Sequence, residues 1–286
     1  MLSLNTNAAA LSAQSSVGST QKSLSTSMTR LSTGYRVNSA MDDAAGLQIA
    51  TRLNAQTRGQ AVAQRNTQNG ISMMQTAEGA FNEVTDMLMR MKDLATEAAN
   101  GTASTKDQDA MQLEFDALGK EIKNIMDNTS FGGAKLLVGG SLTAAVSFQI
   151  GATSAEKMSI DLSGDMTTLT ASITTASAYG YGGTGTGGAE INVTNANGTI
   201  DKINNAIDSV GKVRAQLGAA SNRLDHVYNN LANMSTNTTQ ARGRIMDVDY
   251  ATETANMTSK QMLMQAGTSM LKQSSSMSQL VMSLIQ

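Results

Sequence analysis

Residues 200–234 read IDKINNAIDSVGKVRAQLGAASNRLDHVYNNLANM, and they carry the strongest periodic signal in the chain. Apolar residues recur here at intervals of three or four, which places them on one face of a helix. At about 1.5 Å per residue the helix is roughly 50 Å long. The stripe consists of Ile200, Ile203, Ile207, Val210, Val213, Leu217, Ala220, Leu224, Val227, Leu231 and Met234.

Two more helices with the same periodicity lie in the first half of the chain. One is predicted to begin near Ala44 and to end at AANGT, residues 98–102, where Gly101 suits the left-handed position after a helix. The other can be capped by Ser104 or Thr105. We expect all three helices to share one buried bundle core. Their stripes are Ile71, Met74, Phe81, Val84, Leu88, Met91, Ala95 and Ala98, then Met111, Phe115, Leu118, Ile122 and Ile125.

Both ends of the chain show heptad spacing, which is typical of coiled coils. Val17, Leu24 and Leu31 are seven apart, with Leu4 and Leu11 on a slightly shifted row. At the other end the main row is Leu263, Met270, Met277 and Leu284; Gly267, Ser274 and Val281 fill the other seam position, and Met257, Met264, Leu271 and Ile285 form a parallel row. We therefore predict a helix at each end, with methionine and small residues allowing close approach.

The middle of the chain has a different character. FGGAKLLVG at 131–139 and AVSFQIGA at 145–152 suggest a β-hairpin, with MSIDL at 158–162 as a third possible strand. From about 164 to 198 the sequence turns to Thr, Ser, Gly and Asn, which indicates a short irregular surface segment. The expected fold is mainly α: a long coiled coil and bundle formed from both chain ends, with a β-hairpin region and an irregular, outward-facing centre.

This nested pattern predicts a domain organisation. Residues 1–34 and 251–286 would form the terminal coiled coil, joined by connectors at 35–45 and 236–250. The bundle would comprise 46–163 and 199–235, with the hairpin region at about 131–162, and 164–198 would be the variable surface segment.

Composition excludes several classes of function. The net charge is -2 and only 15% of residues are charged, so no basic field favours nucleic acid or an anionic membrane. There is no cysteine, which excludes disulfides and thiolate metal sites, and no apolar stretch is long enough to span a bilayer. The amino-terminal 40 residues have no apolar run of signal-peptide length, so we expect no conventional cleaved secretory signal.

No group of residues in the sequence supports catalysis or a cofactor. His226 is the only histidine, so neither a catalytic triad nor a histidine-rich zinc site can form around it. The glycine-rich YGYGGTGTGG at 179–188 lacks the Lys-Ser/Thr of a phosphate-binding loop. We expect the acids bracketed by arginines in the first connector to form salt bridges between segments or between subunits. The acids of the second connector are expected to pair with connector arginines or to cap the last helix. The connector residues are Arg36, Asp42, Asp43, Arg52, Asp247 and Asp249.

The end helices raise the question of what covers them. Residues 261–286 contain a single charge, Lys272, and the chain closes with LVMSLIQ at 280–286. A face so poor in charge is more typical of an obligate interface than of a solvated surface. The alternative is that the ends fold back onto the bundle. We expect further copies of the chain to bury them.

Several motifs resemble those of bacterial flagellins. LSTGYRVNSAMDDAAGLQIATRL at 31–53 is similar to the family's amino-terminal motif. NRLDHVYNNL at 222–231, GRIMDVDYATETANM at 243–257 and the ending from Gln265 resemble its carboxy-terminal motifs. The likeness covers roughly residues 1–140 and 199–286, with the motifs in the family's order.

The resemblance implies an extracellular filament subunit of the flagellum, a homopolymer used for swimming, in which the paired termini line a hollow tube. It implies unfolded export through the flagellar type III channel. It also implies a secretion chaperone for the carboxy-terminal helix, and filament cap and hook–filament junction proteins as partners. The hook–filament junction protein and, in another class, a cytoplasmic helical signalling module are the alternatives.

One segment resembles the flagellin surface recognised by Toll-like receptor 5. This is LMRMKDLATEAANGT at 88–102. By position, the expected receptor contacts are Leu88, Arg90, Leu94 and Glu114. Leu118 stands where strongly recognised members tend to carry a basic residue. The other interpretation is an ordinary bundle surface with both leucines partly in the core.

Overall fold

A computed structural model of the chain describes residues 7–179, 189–192 and 194–283, with side chains described up to residue 276. The chain forms two compact units: Met1–Thr57 with Thr236–Gln286, here called the terminal unit, and Arg58–Ser235, here called the bundle unit. The described helices are α1 Ala8–Thr33, α2 Ala44–Ala98, α3 Thr105–Asn128, α4 Ser163–Ala176, α5 Ala196–Met246 and α6 Tyr250–Ser283. The strands are β1 Ser130–Phe131, β2 Ala134–Lys135, β3 Val146–Gln149 and β4 Lys157–Ile160.

The bundle unit is built around one hydrophobic core. Phe81 and Met91 of α2, Phe115 of α3, and Val210 and Leu224 of α5 are all fully buried within it. The three predicted apolar stripes therefore face a shared core, and the mainly α fold is confirmed. The stripe on α5 weakens at its end, where Met234 is 36% exposed.

Two helix ends show how local sequence sets the boundaries. Ser104 caps α3 in a reciprocal box with Asp107: the serine hydroxyl accepts from the backbone N–H of Asp107, and the aspartate accepts from that of Ser104. The left-handed position predicted for Gly101 is wrong. The helix that ends in a left-handed glycine is α1, whose C-cap Gly34 has φ 76°. A β-carbon there would also lie 2.9 Å from the Tyr250 hydroxyl.

The β region consists of two separate hairpins. In the first, Gly132 and Gly133, both with positive φ, form the two-residue turn between β1 and β2. In the second, β3 pairs antiparallel with β4, with Phe148 opposite Met158. The predicted strand at 158–162 therefore exists, and its partner is the 145–152 segment. The expected hairpin between 131–139 and 145–152 is wrong, because the tight turn at Gly132 and Gly133 folds the first segment back on itself. A 3₁₀ turn, Ser141–Thr143, lies between the two hairpins.

The centre of the chain is more regular than predicted, because α4 occupies Ser163–Ala176. Met166, Leu169, Ile173 and Ala176 are spaced by three, four and three, and all are buried. The prediction of an irregular surface segment is therefore wrong for these residues. The segment is rich in threonine, which has a low helix propensity, so its composition did not predict a helix. Residues 180–188 of the glycine-rich stretch lie outside the described part of the chain.

Candidate self-assembly surface

In the terminal unit, α1 and α6 pack against each other in opposite directions. The Asn7 side-chain amide donates to the Ser274 carbonyl at 3.1 Å, near the start of α1 and late in α6. Toward the other end of the pair, Arg30 lies 3.8 Å from Glu253. The two helices therefore form an antiparallel pair, as expected for a coiled coil made from both chain ends.

The seam of this pair combines apolar, small and polar residues. Val17 packs where Gly267 has no side chain: a β-carbon on Gly267 would lie 2.6 Å from Val17 Cγ2. Leu24 is the most buried apolar residue of the seam, with 6% of its surface exposed. Lys260 Nζ donates to Ser27 Oγ at 2.9 Å. Such polar residues in a coiled-coil seam fix register at a cost in stability.

The structure divides the predicted assembly residues into two groups. Val17, Leu24 and Leu31 are buried or half-buried in the pair. Leu11, Leu263 and Met270 expose 70%, 59% and 67% of their surfaces. Leu4, Leu284 and Ile285 lie outside the described residues, as do the side chains of Met277 and Val281.

The row that faces α1 is not the main row predicted for α6. It is the parallel row of Met257, Met264 and Leu271, which are half-buried, together with Gly267 and Ser274. The sequence alone could not separate these rows, because they are only one residue apart on the helix. The row of Leu263 and Met270 is left unburied within the chain.

A charged cluster joins the base of the pair to the first connector. Arg30 Nη1 lies 3.8 Å from Glu253, and its Nη2 lies 3.8 Å from Asp42. Asp42 also accepts from the backbone N–H groups of Ser39 and Asn38, and these hydrogen bonds, with Ser39 foremost, lower its pKa. Glu253 is only 7% exposed. In the described part of the chain, its Oε1 and the Nε of Arg30 have no hydrogen-bond partner.

Sequence analysis missed this cluster, although α6 carries a signal for it. Glu253, Met257, Lys260 and Met264 continue the three-and-four spacing of the seam, so a charged residue occupies a buried position. Its partner Arg30 comes from the far end of the sequence. Residues so far apart in the sequence form no local pattern from which their contact could be predicted.

The predicted connector arginines act differently from expectation. Arg36 donates from its backbone N–H to the Met246 carbonyl at 2.6 Å and from Nη2 to the Ile245 carbonyl at 2.8 Å. Among the ion pairs formed by described residues, neither Arg36 nor Arg52 takes part. Among the described residues, the predicted salt bridges of these two arginines are therefore not formed, and Arg30 is the cation beside Asp42. Salt bridges of Arg36 and Arg52 between subunits stay a prediction.

Two of the remaining connector acids cap helices, and the third lies where the two connectors pair. Asp43 Oδ1 accepts from the Gly46 N–H at 2.8 Å, in the first turn of α2. Asp249 accepts from Thr252 Oγ1 at 2.7 Å and from the Ala251 N–H at 3.0 Å, and these bonds lower its pKa. Asp247 lies opposite Tyr35 in a single antiparallel bridge. Capping of the last helix, one of two roles expected for Asp247 and Asp249, is observed for Asp249.

Comparison with known proteins fits this arrangement of paired termini. Residues 4–141 match the bacterial flagellin N-terminal helical region, and residues 200–285 match the bacterial flagellin C-terminal helical region. Flagellin A of Vibrio anguillarum is 36% identical, and polar flagellin C of Vibrio parahaemolyticus is 35% identical, each over the full length of both chains. The chain belongs to the bacterial flagellin family. It is a structural subunit of the flagellar filament and not an enzyme.

Two solved structures are also similar to this flagellin. The crystal structure of Bacillus cereus flagellin is 30% identical, covers 62% of this chain and 94% of its own, and superposes with a TM-score of 0.48. A structure described as a flagellar hook-associated protein from Vibrio parahaemolyticus is 15% identical, covers 72% of this chain and 100% of its own, and has a TM-score of 0.55. The second likeness is one of fold alone.

The described residues of this flagellin offer no cluster of three or more His, Cys, Asp or Glu that could hold a metal ion. None of its described helices is long and apolar enough to cross a membrane. What the terminal unit does offer is a set of exposed apolar side chains on two helices.

The predicted receptor contacts separate into surface and core. Arg90 forms an exposed ion pair with Glu114, with Nη2 and Nε lying 2.7 and 2.8 Å from Oε1. Leu88 and Leu94 are 0% and 2% exposed. These two leucines are therefore core residues of α2, and the prediction that they contact a receptor is wrong for the folded bundle.

Proposed function

We propose that the terminal unit of this flagellin completes its burial only against neighbouring copies in the filament. One observation carries the proposal: large apolar side chains on both helices of the pair remain exposed. Leu11 on α1 and Leu263 and Met270 on α6 each expose well over half of their surfaces. Burying a Leu or Met side chain is worth about 1.5–3 kcal/mol, so each docked copy gains several times the thermal energy.

Few residues of the helix pair are buried within the chain itself. Over the 26 residues of α1, only Leu24 and Ser27 are buried. A helix pair with so small a core is marginal by itself, since most helical stability comes from packing. Docking then supplies the missing contacts, and final ordering of the ends is coupled to assembly.

Contacts in an open filament must join different surfaces of successive subunits. A two-fold interface would close on itself as a dimer, whereas head-to-tail contacts repeat without limit. This arrangement also disfavours polymerisation where no filament end is available as a template.

The route and partners of the subunit are a further part of the proposal. We infer that it is exported unfolded by the flagellar type III system and acts outside the cell. Its α6 helix would meet a secretion chaperone, and the filament ends would meet the cap and hook–filament junction proteins. Family membership supports this route. Blocking the flagellar export gate should then retain the chain inside the cell, and normal secretion in such cells would contradict it.

Receptor recognition is a second, independent proposal. The exposed Arg90–Glu114 pair is flanked in sequence by Met89 and Leu113, which expose 47% and 73% of their surfaces. A planar arginine beside apolar side chains is a usual core of a hot spot. We infer that Toll-like receptor 5 contacts this patch. Arg90→Ala monomer should signal at least about tenfold less, with Lys123→Ala as the control, and equal signalling would contradict it.

The assembly proposal is tested by removing residues 264–286. The shortened chain should fail to elongate filament seeds in electron micrographs, while the bundle unit keeps its urea unfolding transition. The full chain carrying Leu113→Ser is the matched control, because this substitution changes an exposed leucine of the bundle unit and should leave elongation normal. Long, regular filaments from the shortened chain would overturn the proposal.

A further inference from the structure

Methionine supplies three of the six large apolar side chains that are exposed on the described parts of α1 and α6. The chain has 20 methionines and no cysteine. Met28 of α1 and Met262 and Met270 of α6 expose 56%, 60% and 67% of their surfaces. Methionines of the bundle core are shielded by contrast, since Met74, Met91 and Met126 are exposed by 1% or less. Three exposed thioethers therefore lie on the helices that the proposed function assigns to assembly.

A peroxide can oxidise an exposed thioether without help from any protein group. The sulfur lone pair attacks one oxygen of hydrogen peroxide, an S–O bond forms and the O–O bond breaks. A proton shift then releases water. The sulfur loses two electrons and the peroxide is reduced. The product, methionine sulfoxide, is polar and chiral and disrupts methionine-rich interfaces.

We propose that Met28, Met262 and Met270 are oxidation sites that block docking of the free subunit when they are converted to sulfoxides. This rests on the proposed function, because it requires the terminal helices to be the assembly surface. A sulfoxide has to give up its hydration to enter an apolar interface, which opposes docking. The fold persists, because the shielded methionines of the bundle core react slowly.

The order of events gives the site its selectivity. Before docking, the three side chains are open to solvent and can be oxidised. After docking, neighbouring copies cover them, and the filament resists the same reagent. A methionine sulfoxide reductase reverses the change in the free subunit.

Two other exposed methionines provide internal controls. Met41, in the first connector, is 92% exposed, and Met89, on α2 of the bundle unit, is 47% exposed. Both should be oxidised by a peroxide dose that oxidises the three helix methionines. Neither lies on α1 or α6, so their oxidation should not account for the loss of docking.

The experiment treats free full-length subunit with hydrogen peroxide, removes the reagent and measures seeded elongation by light scattering. Peptide mass spectrometry records which methionines have gained one oxygen. The variants are the triple substitution Met28→Leu, Met262→Leu and Met270→Leu, and the single controls Met41→Leu and Met89→Leu. Leucine keeps size and apolarity but cannot be oxidised. Untreated samples of every variant are run in parallel.

Oxidised parent should elongate at least about tenfold more slowly than untreated parent, since losing one buried apolar side chain is worth a factor of that order. The triple variant should stay within about twofold of its untreated rate, both single controls should remain sensitive, and reductase should restore the parent. Three results would overturn the inference: normal elongation of a parent oxidised at all three sites, a triple variant as sensitive as the parent, or resistance from Met41→Leu alone. Failure of untreated parent to elongate seeds would instead refute the proposed function.

Discussion

The α5 helix and the α1–α6 pair have the same three-and-four spacing of apolar residues but bury them differently. Along α5, Ile203, Val210 and Leu217 are exposed by 1% or less inside the bundle unit. On the terminal helices, Leu11 and Leu263 remain mostly exposed. Periodicity thus shows which face of a helix is apolar, but not whether the same chain covers it.

The core of the bundle unit is apolar, whereas the seam of the terminal pair also contains polar and charged residues. The bundle core is lined by large apolar side chains such as Phe81 and Phe115. The seam of the terminal pair contains Ser27, Lys260 and Glu253. A seam with these residues fixes the register of the pair but adds little stability. The bundle unit is thus built for stability within one chain, whereas the terminal unit leaves apolar side chains exposed that the proposed filament contacts would bury.

The largest expected effect is the loss of a core side chain from the bundle unit. Phe81→Ala removes a fully buried ring from α2, which should lower the free energy of unfolding by about 3–5 kcal/mol. Urea unfolding followed by circular dichroism measures this change. Leu11→Ala is the matched control in α1 and should change the free energy of unfolding by less than about 0.5 kcal/mol. Equal effects of the two substitutions would erase the contrast between the regions.

An exposed leucine of α6 should show the reverse behaviour. Leu263→Ser should leave the unfolding of the monomer nearly unchanged, because its side chain is 59% exposed. In the filament the lost burial is worth about 1.5–3 kcal/mol, which raises the critical concentration for seeded growth about tenfold or more. Sedimentation of polymer at graded subunit concentrations measures it. Leu113→Ser in the bundle unit is the control, and a similar rise there would contradict the assignment.

The charged cluster at the base of the terminal pair should have a smaller effect. Arg30→Met keeps the length of the side chain but leaves Glu253 buried without its cation, which costs about 1–2 kcal/mol. Amide hydrogen exchange should speed up in α1 and α6 and stay unchanged in α3. Adding Glu253→Gln should recover part of the loss, since it removes the unpaired charge. Unchanged exchange in the terminal helices would show that the cluster contributes nothing.

Local periodicity was enough to predict much of this architecture. The stripes of α2, α3 and α5 could be predicted because each pattern lies within one helix and faces one core. Helix α4 was not predicted, because its apolar stripe is short and lies among threonines, which have low helix propensity. In the structure, Thr167, Thr170 and Thr174 each donate to the backbone carbonyl four residues earlier in the helix. Such bonds let a threonine-rich segment satisfy its hydroxyls within a helix.

The functional surface could be predicted only in part. Its helices and its lack of charge follow from the sequence, whereas the row that faces inward depends on how two distant segments meet. For the same reason Arg36 was a reasonable partner for the connector acids, but Arg30 lies beside Asp42 instead. At the proposed receptor patch, comparison of positions with the family motif identified the Arg90–Glu114 pair. It could not show that Leu88 and Leu94 are buried in the core.

The smallest expected effect concerns one carboxyl group in the bundle unit. Asp116 of α3 is 9% exposed and accepts from Gln112 Nε2 at 2.7 Å. The same Nε2 donates to Glu190 at 2.8 Å. Burial raises the pKa of Asp116, and the neighbouring Glu190 charge acts in the same direction, while Gln112 and Lys120 oppose it. Its ionised form is therefore less favourable in the folded state than in the unfolded chain.

The sign of the pH dependence follows from this raised pKa. Below the unfolded pKa the group is protonated in both states and carries no penalty; as pH rises through the folded pKa, ionisation destabilises the bundle unit. Asp116→Asn should stabilise it at neutral pH by less than about 1 kcal/mol, and the difference from the parent should vanish in acid. Asp42→Asn in the terminal unit should behave oppositely, because the pKa of Asp42 is lowered and its contribution is lost as pH falls. Urea unfolding measures the pH dependence of stability in Asp116→Asn, and hydrogen exchange measures it in Asp42→Asn. If both substitutions changed stability in the same direction as pH rises, the opposite environments assigned to these carboxylates would be contradicted.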